Sequence, residues 1–281
     1  MGRILAFTKR EIIRTTFSQK NIFCLILLSL ITFFNILSIN PGNNPNYNIW
    51  NGIFSCINHH NFLSYVYTPL FLYLISDVIW KSSTNSDILY QIRLKQRYHW
   101  WLSKTLTILV NGLIYTLIIV FISLIMSFFV FNLNLEWHWS STTISLADDA
   151  SRMALHFPKS AIHILPLQAL LSAILLLFLG WSAMGLLSGV ITLLVNNGFY
   201  GAIIAYIIFI GSNSILGNKS ISFITNLHID QHFFIRSYMN PNEISILFSF
   251  IYWVICFYLF YTLGQSIVLK KDFLDQLNTK N

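Results

Sequence analysis

Charge is what this sequence has least of. No Asp, Glu, Lys or Arg occurs between Lys20 and Asp77, between Lys104 and Glu136, between Lys159 and Lys219, or between Glu243 and Lys270. Charged residues make up 10% of the 281 and hydrophobic ones 55%, whereas soluble domains carry about 25% charge. That excludes a water-soluble globular domain and leaves an integral membrane protein. Cysteine is scarce too. Of Cys24, Cys56 and Cys256, only Cys56 falls in a segment read as outside, so neither a disulfide framework nor a metal-binding pair is expected. A phosphate-cradling G-x-x-x-x-G-K-[ST] loop is also missing. The nearest approach, GSNSILGNKS from Gly211 to Ser220, has one residue too many between its glycines and an Asn before Lys219. The amino-terminal stretch does not read as a cleaved signal, because its apolar run begins only at Ile22, is long enough to span, and has no small-x-small site after it.

The positive charge that is present is segregated. Of 17 Lys and Arg, five lie in 1–20, five in 81–104 and three after Leu269. Lys and Arg collect on the cytoplasmic side of membrane proteins, so the net charge of +7 orients the chain and meets lipid headgroups; it does not point to nucleic acid. A span needs roughly 20 mostly apolar residues. Six fit: 22–39, 62–79, 105–131, 165–195, 199–215 and 244–269, with a kink expected at Pro69. Both termini then face the cytoplasm of a cell bounded by this plasma membrane. Residues 1–20, with Arg3, Lys9, Arg10 and Arg14 among apolar side chains, read as an interfacial helix. Residues 40–61, which contain PGNNPNYN, and 132–159 read as outer loops. Segment 217–242 is too polar to span and too apolar to be a loop, and is expected to form re-entrant-like helices at the outer face. The whole chain is one all-α transmembrane domain.

The stretch 81–104 is basic and bracketed by Trp80, Trp100 and Trp101. Ser82 to Ser86 offer helix caps, and Asp87 adds negative charge at a helix start. Ile88 and Ile92 then share one face while Arg93 and Arg97 share another, which describes a short amphipathic helix near the membrane. The alternative is an ordinary connector with orienting charges.

A basic surface helix, six spans, a short helix between spans two and three and a broken amphipathic segment before the last span together resemble a type-2 ABC exporter permease. The stretch SDILYQIRLKQRYHWWLSK is similar to that family's loop of basic and apolar residues ending in a Lys at the start of span three. The resemblance implies a coupling helix, with Asp87, Ile88, Leu89, Ile92, Arg93, Lys95 and Arg97 docking a separate ABC ATPase subunit. It also implies a second permease copy or paralogue. ATP and Mg would sit on the ATPase, and this chain would hold no cofactor, metal or catalytic group. The segment 132–159 is longer than the outer turn expected of the family and leaves room for an accessory protein outside.

Other residues carry weaker signals. Asp77 lies near the cytoplasmic end of span two; it either reaches water, pairs with Lys81 four residues on, or serves the transport path. Asn111, Gln168, Asn213 and Gln265 are polar at depth and would line a path or hold helices together. His228 and His232 sit four apart, the spacing of two ligands on a helix, but nothing completes a metal site. Gly185 and Gly189 form GxxxG, a seam for close packing within the chain or between copies. Ser212 and Ser214 faintly resemble the serine turn of an intramembrane protease, yet no His lies in span six to activate them. Two further functions are therefore kept beside the exporter: a six-span adaptor or sensor and, behind it, a membrane enzyme.

The orientation is testable. In a background lacking the native cysteines, Cys at Asn85 should resist a membrane-impermeant maleimide on intact cells, and Cys at Ser141 should react. The reverse pattern overturns the six-span topology.

Overall fold

The computed structural model describes residues 2–38, 48–80, 97–131, 137–141, 164–216, 229–233 and 245–270. All its elements are helical. Helix α1 (Gly2–Thr16) places Ile4, Phe7, Thr8, Glu11 and Thr15 on one stripe, spaced three and four apart. It stops short of the expected residue 20. Ser18 caps the next helix instead, its Oγ accepting the Asn21 N–H at 3.2 Å, so Lys20 belongs to α2 (Gln19–Ser38).

The segment 40–61, expected to be a loop, contains a helix, α3 (Ile49–Ile57), every residue of which is buried. Its nine residues are too short to span, but Trp50, Ile53, Phe54 and Ile57 give it a core-facing surface. It packs against α2 and against the long helix Arg97–Val130. The next helix, α4, is continuous through His60–Phe62, a π turn at Leu63–Tyr67 and an α segment Thr68–Trp80. Proline removes a donor, and its ring crowds the carbonyl four residues earlier. For Pro69 that carbonyl belongs to Tyr65, inside the π turn, which widens the helix where the conflict falls. The Tyr67 carbonyl accepts the Tyr115 hydroxyl at 2.8 Å.

Helix α5 (Arg97–Val130) starts eight residues before the expected span and is about 51 Å long at 1.5 Å per residue, well beyond a hydrocarbon core of about 30 Å. Helix α6 (Pro166–Val195) begins with Pro at its first turn and ends on Asn196, whose φ of 57° is left-handed. Asn197 then caps α7 (Gly198–Leu216), its Oδ1 accepting the Phe199 and Tyr200 N–H groups. The expected break at Asn196-Asn197-Gly198 thus ends one helix and starts the next. A 3₁₀ turn (Ile229–Phe233) and α8 (Ile246–Lys270) follow.

Among the described residues, five helices are long and apolar enough to cross a membrane, and the apolar part of α7, Gly198–Ser212, is shorter. The bundle carries its apolar side chains outward as well as inward: Phe23 and Ile26 on α2, Leu117 and Phe121 on α5, and Ile251 and Tyr258 on α8 are all exposed. Such a surface suits lipid and marks a multi-pass membrane protein. The most deeply buried of the long apolar helices is α6, against α4, α5, α7 and α8. Its GxxxG packs within the chain, Gly185 against Ile75 and Ile108 and Gly189 against Ile79. Around Trp181 the rings of Phe71, Tyr115 and Phe233 form the central aromatic cluster.

The closest approach to a glycine is at Gly264. A Cβ on Gly264 would run into the Trp101 ring, which is fully buried and donates its indole N–H to the Tyr261 carbonyl at 3.0 Å. Gly264→Ala should cost about 1–3 kcal/mol, read as a lower melting temperature in detergent. Gly211→Ala, where nothing lies within 4 Å of the added carbon, should be neutral or slightly stabilising.

Candidate functional site

Among the described residues, the end of the bundle that carries α1 holds two clusters of ion pairs, one on Glu11 and one on Asp77. Helices α1 and α5 run side by side in the same direction, with Thr8 meeting Ser103, Glu11 meeting Lys104 and Thr15 meeting Asn111. The middle pair is sealed. Lys104 Nζ donates to Glu11 Oε2 at 2.8 Å, and the two side chains are 0% and 1% exposed. The Arg14 guanidinium donates to the same oxygen at 2.9 Å. Phe7 and Trp100 turn ring faces toward the ammonium at 5.1 and 5.8 Å, within the range of cation–π attraction.

The second pair joins α2 to α4. Lys20 Nζ lies 3.2 Å from Asp77 Oδ2 and also donates to the Tyr73 carbonyl and Ser76 Oγ, both at 3.0 Å. The Tyr73 ring sits 4.0 Å from the ammonium. These groups are a fifth to a quarter exposed, so this pair is partly hydrated and the Glu11–Lys104 pair is dry.

The two pairs bracket the basic stretch. Asp77 is one turn before the end of α4 and Lys104 two turns after the start of α5. Residue 97 is tied as well, the Arg97 guanidinium donating to the Leu269 carbonyl of α8 at 3.2 Å. A force applied between residues 80 and 97 would therefore reach α1, α2 and α8 through polar contacts. Between the pairs lies a small recess of about 20 Å³ bounded by α1, α2, α4 and α5, with Thr15, Asn21 and Asn111 among its lining.

The sequence-predicted site residues divide. Asp87, Ile88, Leu89, Ile92, Arg93 and Lys95 lie outside the described residues, as do Lys81 and His228. Asp77 and Asn111 come to the same end of the bundle, Asn111 holding Thr15 and donating to the Thr107 carbonyl at 2.8 Å. Gln168 is exposed near the opposite end and Gln265 is half-buried on α8. Asn213 is in α7, its side chain outside the described residues. Among the described side chains, Asp77 and Asn111 share one end of the bundle while Gln168 and Gln265 lie elsewhere. Sequence reasoning missed Glu11, the lone acid of α1, although its place on the apolar stripe opposite a lysine inside an apolar stretch was a usable signal.

A serine–histidine pair does exist elsewhere. His232 Nδ1 lies 3.0 Å from Ser249 Oγ of α8, its ring stacks on Tyr252 at 3.8 Å, and its carbonyl accepts the Trp253 indole N–H. Both side chains are at most 2% exposed. A nucleophile needs room for a reacting carbonyl about 3 Å away, and this packing fills that space. The pair holds the 3₁₀ turn to α8, while Phe233 fills the notch over Gly180. At the same end Trp139 donates to the Ile164 carbonyl and Ser140 to Asn51 Oδ1, which docks the WHW segment on α3.

Removing one member of a buried pair strands the other and costs about 3–5 kcal/mol, whereas replacing both with apolar groups is often neutral. Glu11→Leu should therefore lower thermal stability in detergent by that amount. Lys104→Leu should cost less, because Arg14 still holds Glu11. The double variant should be more stable than Glu11→Leu alone.

No protein-family model matches this chain and neither does any curated protein, so what the site does has to follow from its own geometry.

Proposed function

We propose that this chain is the permease subunit of an ATP-driven exporter, with six spans and both termini in the cytoplasm of a plasma-membrane complex. The observation that carries the reading is the bracketing of residues 81–96 by the Lys20–Asp77 and Glu11–Lys104 pairs. A connector needs no such anchorage. A lever does, because a push on it must move helices and not merely bend a loop.

In this reading Asp87, Ile88, Leu89, Ile92, Arg93, Lys95 and Arg97 form the face that docks a separate ABC ATPase, which binds ATP and Mg. Closure of two ATPases would pull the stretch 81–96 on each of two permease copies or paralogues. The ion pairs would pass that displacement to the ends of α4 and α5, and through α1 to the rest of the bundle. The chain supplies a path and a lever but no catalytic group. A hydrophobic or amphipathic cargo, such as a membrane-active peptide or lipid-linked compound, suits an interior with so few charges. The alternative, a non-transporting adaptor that presents its outer segments to a ligand, leaves the double anchorage unexplained.

Charge reversal at Arg93 and Arg97 together should release the copurifying ATPase while the permease stays monodisperse in detergent. Ser at Ile88, Leu89 and Ile92 should do equal damage by removing the apolar half of the contact. Exposed ion pairs contribute about 0–1 kcal/mol each, so a loss of ATPase binding beyond a few-fold requires both halves. Retention of the ATPase and of export in both variants would sink the lever.

A further inference from the structure

Burial along α4 does not follow the period of an α-helix. Its buried side chains come in pairs every four residues, Leu63 with Ser64, Tyr67 with Thr68 and Phe71 with Leu72, and the series continues at Ile75. Four residues turn an α-helix by about 400°, so each repeat drifts roughly 40° from the face before it. From Ile75 back to Leu63 the drift would reach about 120°, enough to turn Leu63 out of the core. The π turn at Leu63–Tyr67 cancels it. Such a turn houses about one residue more than an α turn, and here the Thr68 N–H reaches back five residues to the Leu63 carbonyl. Leu63 is consequently 0% exposed and Tyr65 59% exposed. In an unbroken α-helix, with 68–80 held where they are, the two would exchange. Leu63 would swing outward and Tyr65 toward the core.

Opposing terms act on this turn. Against it, the hydroxyls of Ser64 and Thr68 are fully buried and make no hydrogen bond with any described group. On α5 the buried hydroxyls of Thr107, Thr116, Ser123 and Ser127 all donate to the carbonyl four residues back, at 2.6–2.9 Å. A turn that bonds five residues back moves that carbonyl away from the hydroxyl. In favour of the turn is Pro69, whose ring would crowd the Tyr65 carbonyl in an α ladder. Also in favour is Tyr115, whose hydroxyl donates to the Tyr67 carbonyl at 2.8 Å. Tyr115 is 3% exposed and sits against the rings of Phe71 and Trp181, with centroids 5.2 and 4.9 Å away. Packing outside the turn therefore aims its hydroxyl at the last residue of the turn.

We propose that α4 has two registers and that Tyr115 is the latch that selects the π register. When the latch opens, the π turn closes to an α turn and residues 60–64 rotate by roughly 100°, the step of one residue in an α-helix. Ser64 and Thr68 then regain carbonyls four residues back, and Leu63 leaves the core as Tyr65 approaches it. Only Asn58 and His59 separate this segment from α3, so the rotation is passed to α3. The device is independent of whether the chain transports anything.

The test is the rate at which N-ethylmaleimide labels Leu63→Cys in the full chain, purified in detergent and lacking the native cysteines. A buried thiol reacts through the fraction of time it is exposed, so the rate follows the population of the second register. Tyr115→Phe removes one hydrogen bond and should raise that rate about two- to tenfold. Leu72→Cys, 1% exposed and facing the core in both registers, should label no faster in Tyr115→Phe than in its parent. Deleting Val66 takes out the surplus residue of the turn. That deletion should melt close to wild type, and combined with Tyr115→Phe it should return Leu63→Cys to the slow rate. Deleting Leu74, outside the turn, should instead lower the melting temperature sharply or abolish folding. The deletion comparison needs no cysteine, and decides the matter alone if Leu63→Cys does not fold. The proposal is overturned if Tyr115→Phe leaves labelling at residue 63 unchanged, if Leu72→Cys accelerates as much, or if losing Val66 is as damaging as losing Leu74. None of these results depends on an ATPase or on export, so failure here leaves the exporter reading standing.

Discussion

A lysine and a glutamate taken out of water together set the geometry of one whole end of this bundle. Moving either ion alone from water into an apolar interior costs several kcal/mol even after relaxation, so the two must remain in contact wherever the helices that carry them go. The contact between Glu11 and Lys104 therefore fixes the axial position of α1 on α5. Once that is fixed, Thr8 is level with Ser103 and Thr15 with Asn111, and both hydroxyls find partners. The turn at Phe17 and Ser18 then starts α2 beside α4, which puts Lys20 against Asp77. One dry ion pair thus determines where a hydrated one forms.

The opposite end is held by different physics. There the anchors are neutral: the His232 carbonyl under Trp253, Trp139 on Ile164, and Ser140 and Asn48 on Asn51 and its surroundings. Neutral hydrogen bonds net about 0.5–1.5 kcal/mol each, and large rings supply the buried area, as Phe54 does against Trp139 at 5.2 Å. Between the two ends α6 provides a stiff centre, its glycines admitting branched side chains of α4 and α5. An end tied by ions and pivoting on a rigid core is better suited to transmit a displacement than one tied by dispersed apolar contacts.

The long apolar helices were legible because the feature that defines them, a run without charge, is local. The boundary at Asn196-Asn197-Gly198 was legible for the same reason, since helix ends are written in adjacent residues. Helix α3 was not. Nine residues fall below any span threshold, and IWNGIFSCI follows a cluster of Pro, Gly and Asn that suggests a turn. Its helical state depends on burial against α2 and α5, which no local pattern records. A long-range partner of Asp77 was missed in a related way. Lys81, four residues on in sequence, lies outside the described residues; Lys20, fifty-seven residues back, is brought within 3.2 Å. Glu11 was overlooked because a count of basic residues in 1–20 hides the single acid among them. The docking face at 87–95 stays a reading of sequence alone, since those residues lie outside the described ones.

The two ion pairs answer a displacement differently. Thr15 and Asn111, hydrogen-bonded to each other, lie between them. The sealed pair at Glu11 and Lys104 makes the α1–α5 contact stiff, because the costly step of exposing either ion is avoided only when α1 and α5 move as one body. The compliant element is the hydrated pair at Lys20 and Asp77, which water can re-solvate at little cost. Motion at this end should therefore open between α2 and α4 and leave the α1–α5 contact intact.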